Sequence, residues 1–89
     1  MHFVFDPAKD AANQDKHGLS LALAASLDWD VALVWIDDRY AYDECRMIAL
    51  APDTGIVYYV AFVDREDVRR IISLRRATRR EVTYYVEHS

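Results

Sequence analysis

Apolar and polar positions follow two different periods along this 89-residue chain. Phe3-Val4-Phe5 reads as a short opening strand. Asp6 stands as a helix N-cap with Pro7 at the first helical position, where a missing N–H costs nothing. That helix is predicted to run to about His17, with Gly18 as its left-handed stop. Ser20 can cap a second, shorter helix from Leu21 to about Leu27, rich in Ala and Leu and therefore largely buried. From Val31 the pattern turns to β. Residues 31–36, 46–51, 56–63 and 68–74 are apolar or aromatic runs of strand length. Pro52-Asp53-Thr54-Gly55 marks a turn between the middle two, and residues 64–67 form a tight polar connection. Thr78-Arg79-Arg80-Glu81 is a capping box that opens a last helix. The order β-α-α-β-β-β-β-α predicts an α+β fold in one domain over residues 1–89. It would have a mostly antiparallel sheet of four to five strands, two N-terminal helices, one C-terminal helix, and the helices against one face.

Charge changes the picture more than composition does. Residues 65–80 carry seven Arg against Glu66 and Asp67, a local charge of +5 in a chain whose net charge is −4. Every base in that segment is Arg, whose planar fork grips phosphate or carboxylate bidentately. With Thr78 as N-cap, Arg79 and Arg80 occupy the first helical turn, the wrong sign for the helix macrodipole. Arg75, Arg76, Arg79 and Arg80 at that end would repel one another without an anion. Free helix N–H groups plus guanidinium groups define a phosphate site. The alternative is a solvated face paired with acids such as Glu81, Asp64 or Asp67. Thr78, Val82, Tyr85 and Val86 give the last helix an apolar face to bury.

On the first helix, Lys9, Asn13, Lys16 and His17 share one stripe. A Lys and a His there could supply a cation and a proton-transfer group, or they could form a polar face in water. One of Arg69 and Arg70 must point to a sheet face, either toward an open cleft or into a structural ion pair. Trp29, Trp35 and the tyrosines read as core and rim; of Tyr58-Tyr59, one must face away from the core.

Other chemistries find little support. His2, His17, His88 and Cys45 lack metal-ligand spacing, and no Gly-rich phosphate loop or nucleophile elbow occurs. One cysteine fits a reducing cytosol, and no apolar run approaches the roughly twenty residues of a membrane span. The start lacks the basic and apolar regions of a secretory signal. Together these point to a cytoplasmic protein with no membrane contact.

Two blocks resemble a known family. They are Phe3-x-Phe5-Asp6-x-x-Lys9-x-x-x-Asn13-x-x-Lys16-His17-Gly18-Leu19-Ser20 and Arg70-Ile71-Ile72-Ser73-Leu74-Arg75-Arg76-Ala77-Thr78-x-x-Glu81. In this order they resemble the BrnT toxin family, also known as DUF497. Glu44, Arg46 and Arg65 match further family positions. Phe5 stands where Trp is usual, and Ala51 where Gly is common. The resemblance implies a RelE-like fold and a translation-inhibiting endoribonuclease of a type II toxin–antitoxin module. It also implies a cognate BrnA-like antitoxin, with operator DNA engaged only through that partner. Cleavage would proceed by attack of the substrate 2′-OH, with no cofactor or metal. Lys9, His17, Arg65, Arg70, Arg75, Arg79 and Arg80 are the expected catalytic set. Asn13, Lys16, Arg69, Arg76 and Ser73 are the expected RNA or phosphate contacts. The competing expectation is a non-catalytic module whose arginines dock an acidic protein.

Overall fold

A computed structural model describes residues 1–39 and 43–89; Tyr40 and Tyr42, two of the tyrosines expected at core or rim, lie outside them. Strand β1 (His2–Val4) leads into helix α1 (Pro7–His17). The helix is bounded as its sequence demands. Asp6 Oδ1 accepts from the Ala8 N–H at 2.8 Å, and Gly18, at φ 71°, donates its N–H to the Gln14 carbonyl. Asp10 then ties α1 to the chain beyond Gly18. Its carboxylate accepts from the Leu21 N–H (2.7 Å), the Ser20 hydroxyl (3.0 Å) and Gln14 (3.0 Å), and the Leu21 hydrogen bond above all holds its pKa below the ordinary value.

The segment after Ser20 departs from expectation. Leu21–Ser26 is a 3₁₀ helix, not an α-helix. The residues it must bury, Leu21, Ala24 and Leu27, recur every three positions, and three residues per turn places all of them on the core side. A single 3₁₀ turn, Trp29–Val31, follows, so the next strand starts at Leu33 and not at Val31.

Strands β2 (Leu33–Ile36), β3 (Met47–Asp53), β4 (Ile56–Arg65) and β5 (Val68–Arg76) form an antiparallel meander. Strand β1 adds in parallel to β5, giving a mixed five-stranded sheet of order β1-β5-β4-β3-β2. The β3–β4 turn is two residues long, with both Thr54 and Gly55 at positive φ, as a tight hairpin requires.

One irregularity shapes everything downstream. A register shift between β4 and β5 at Ala61/Phe62 pairs Phe62 with Ile71 and Ala61 with Ser73, leaving Ile72 as the extra residue. Strict alternation would set Ile71 and Leu74 on opposite faces. The bulge buries both on one face and turns Arg70, Ser73 and Arg75 together onto the other.

The first face packs Phe62, Val60, Tyr58, Ala49, Ile71 and Leu74 against the 3₁₀ segment and Trp29. Helix α1 runs along the edge of β5 that β1 leaves uncovered beyond Arg70. There Asn13 stands in for a missing strand. Its Oδ1 accepts from the Leu74 N–H (3.0 Å), and its Nδ2 donates to the carbonyls of Leu74 and Leu19 (2.8 Å each).

The final helix, α2 (Arg79–His88), has the expected capping box. It does not join the 3₁₀ segment on the first face. Glu81 reaches Arg75, and Tyr84 meets Trp35 edge-on, both on the opposite face of the sheet, while the Tyr85 hydroxyl bonds to the Val31 carbonyl. Nor is its apolar stripe buried: Val82 and Tyr85 are half-covered, and Val86 is 68% exposed.

Candidate functional site

The second sheet face carries the polar chemistry. Tyr59, Ser73 and Arg75 point there from β4 and β5, and Lys9, Ala12, Lys16 and His17 border it from α1. Arg39, beyond β2, closes the rim. Together they enclose a groove of about 540 Å³ with Ile72 and the buried Asn13 in its wall. Helical spacing puts the α1 residues on one side, and the bulge puts the β5 residues on the facing surface.

Arg75 is the best-organised cation in the groove. Its two terminal nitrogens donate to the two carboxylate oxygens of Glu81 at 2.8 and 3.0 Å, and its guanidinium lies 4.0 Å over the Tyr59 ring. The same carboxylate accepts from the Thr78 N–H, so the capping box of α2 also aims the arginine. The hydrogen bonds between them raise the Arg75 pKa and lower that of Glu81, so the pair stays charged across the physiological range.

His17 and Tyr59 supply the titratable chemistry. Partial burial, with the charges of Lys16 and Arg75 nearby, pushes the His17 imidazole below its ordinary pKa. It is therefore neutral at pH 7 and able to accept a proton. Burial pushes the Tyr59 phenol upward, which keeps it a hydrogen-bond donor. A neutral base, a protonated phenol and the cations Lys9, Lys16, Arg39 and Arg75 thus share one groove. The arrangement suits a phosphodiester undergoing proton-coupled cleavage.

The remaining arginines separate from this groove. Arg65 and Arg70 line a second, smaller depression with Val4, Glu44, Val63, Glu66 and Val68, where Arg70 donates to Glu44. Arg69 faces the other way: it pairs with Asp64 at 2.7 and 2.8 Å and stacks 4.4 Å from the rings of both Trp29 and Phe62. Arg76 is exposed and pairs across from Tyr58 on that same face. Arg79 and Arg80 are exposed in the first turn of α2. The dense arginine run is therefore not one anion cluster; strand alternation, the bulge and the turn into α2 distribute it over several surfaces. Asn13, expected to touch RNA, is 5% exposed and has its amide committed to backbone.

Two groove residues escaped the sequence reading. Nothing in the pattern around Arg39 points to the groove, since its place depends on the path of the chain after β2. Tyr59 was half legible: alternation required one of Tyr58 and Tyr59 to leave the core, and Tyr58 is the buried one.

The fold and groove define a class, a small α+β protein presenting a cationic, histidine-bearing cleft suited to phosphate chemistry. The family model described as the ribonuclease toxin BrnT of type II toxin–antitoxin systems matches residues 5–81, and the chain belongs to that family. No curated protein matches the chain. Membership makes it a toxin-family ribonuclease, and a type II system implies an antitoxin partner. Among the described residues, no helix is long and apolar enough to cross a membrane.

Proposed function

We propose that the chain cleaves RNA in the cytoplasm, without a metal, by transesterification in the groove between α1 and the second sheet face. The carrying observation is a neutral His17 set among Lys9, Lys16 and Arg75. His17 takes the proton of a ribose 2′-OH, and the 2′-oxygen attacks the adjacent phosphorus. The P–O5′ bond breaks as the leaving oxygen takes a proton from the Lys9 ammonium. The products are a 2′,3′-cyclic phosphate and a 5′-OH end. Arg75 and Lys16 stabilise the charge that develops on the phosphorane, and the Tyr59 phenol donates to a non-bridging oxygen. Translation stops because messages are lost. A BrnA-like antitoxin neutralises the toxin and carries the pair to operator DNA.

The test is incubation of the purified chain with a short oligoribonucleotide in excess chelator, with the products identified by mass. Cyclic-phosphate ends from wild type, formed far more slowly by His17→Ala, are the expected result. Intact RNA together with tight capture of an acidic protein by a folded chain would favour the non-catalytic docking module.

A further inference from the structure

The second sheet face does not end at the groove. The row Arg75, Tyr59, Leu50 and Leu33 runs straight across β5, β4, β3 and β2, all pointing to one side. Beyond Tyr59 on that row lies a slot of about 330 Å³, floored by Leu50 and bounded by Trp35, Tyr84, Arg80 and Glu81. Two strand spacings separate Leu50 from Arg75, about 10 Å, a reach open to the next nucleotide of an extended strand.

The slot walls are unusual for a surface. Trp35 is 39% exposed and Tyr84 48%, and their rings meet edge-on at 6.4 Å and 68°. Tyr84 is also stacked against His88 at 4.0 Å, so it is braced and not loose. Arg80 stands at the mouth, with Arg79 beside it in the same helical turn. Glu81, the one acid among the described residues that line the slot, is already engaged by Arg75 on the groove side. The result is an apolar, aromatic recess with a cationic rim, joined to the phosphate groove through the Arg75–Glu81 fork and the neighbours Tyr59 and Leu50.

We propose that this slot is a nucleobase subsite. It receives the base of the nucleotide adjoining the scissile phosphate, stacked on Trp35 and Tyr84, with Arg80 on that nucleotide's phosphate. Base–aromatic stacking tolerates every base, so the slot contributes affinity and register first and base preference second. A protein segment docking here is the competing occupant. The cationic rim and the continuity with the groove favour the nucleotide. The chain's other exposed apolar side chains on β2, Val34 and Ile36, point to the opposite face and do not extend the slot.

The inference rests on the RNA-cleavage reading, and its test separates the two. Nucleoside 5′-monophosphates are titrated into the full chain while tryptophan fluorescence is followed, and cleavage of oligoribonucleotides is measured in parallel. Quenching should occur in wild type and vanish in Trp35→Phe, which retains only Trp29. Trp35→Ala and Tyr84→Ala should raise KM for RNA about ten- to a hundredfold with kcat largely kept, and Trp35→Phe should restore most of the KM. Arg80→Ala should weaken binding and reduce its salt dependence. Cleavage by wild type with KM unchanged in folded Trp35→Ala and Tyr84→Ala overturns the subsite while leaving the nuclease standing. Quenching by nucleotides without any RNA cleavage sinks the nuclease and keeps the subsite. Loss of antitoxin binding in these variants, with nucleotide binding intact, overturns the subsite in favour of protein docking.

Discussion

Arg69 and Arg75 lie six residues apart on one strand and have the same local equipment, yet they sit in different settings. Each forks onto a carboxylate through two hydrogen bonds, Arg69 onto Asp64 and Arg75 onto Glu81. Each lies over an aromatic ring. The Arg69 side chain is 15% exposed and wedged against Trp29 and Phe62, so its charge is sealed into the rim of the core. The Arg75 side chain is 30% exposed, with one ring beneath it and Lys9, Lys16 and His17 across the groove. The motif alone does not define the setting; the face does. Arg69 counters one acid in an apolar setting, whereas Arg75, itself paired with Glu81, borders a groove that Lys9 and Lys16 make positive.

Breaking the groove side should have the largest effect. His17→Ala is expected to lower kcat/KM for RNA by about 10²- to 10⁴-fold, the usual span for a proton-transfer group. Arg75→Ala is expected to cost about 10²- to 10³-fold, as for a lost oxyanion donor. Single-turnover kinetics on a defined oligoribonucleotide would read both, with circular dichroism to verify folding. Next comes Asn13→Ala, which orphans the Leu74 N–H and carbonyl at the β5 edge and the Leu19 carbonyl after α1. It should destabilise the chain by about 3 kcal/mol, read as a lower urea midpoint. Arg69→Ala should cost about 2 kcal/mol of stability through lost stacking and an unpaired Asp64, while the folded fraction keeps its activity.

The smallest effect is also the sharpest. Because the folded-state pKa of His17 lies below its ordinary 6.5, the base form predominates at neutral pH. The acid limb of kcat/KM should therefore fall below 6.5 and disappear in His17→Ala. Stability carries the same sign. The unfolded chain binds this proton more readily, so the His17 contribution is full above 6.5 and declines as pH falls through the lowered value. A pH–rate profile with its acid limb above 6.5 would contradict the assigned environment.

Much of the frame was legible in residue chemistry. Asp6, Thr78 and Glu81 bound their helices through their side chains and Gly18 through its lack of one, and the hairpin at Thr54-Gly55 follows from turn chemistry. The stripe of Lys9, Lys16 and His17 on α1 was readable because helical spacing is regular. What escaped depends on tertiary context. A bulge leaves no mark in the alternation of Ile71-Ile72-Ser73-Leu74, yet it decides which arginines share a face. The three-residue recurrence of Leu21, Ala24 and Leu27 does signal a 3₁₀ turn, but the Ala- and Leu-rich composition argues for α. The resemblance marked Asn13 as a contact for RNA, and a polar residue on a polar stripe gives no hint that a strand edge awaits it. The face taken by α2 was illegible, since its tether, the fork between Arg75 and Glu81, depends on how β5 is turned.

The most direct test sets the two arginines side by side on a short oligoribonucleotide, with product ends resolved by mass spectrometry. Wild type and folded Arg69→Ala should both yield 2′,3′-cyclic phosphate ends at comparable rates, and folded Arg75→Ala should yield almost none. Equal cleavage by Arg75→Ala, or loss confined to Arg69→Ala, would contradict the claim that the groove face carries the chemistry.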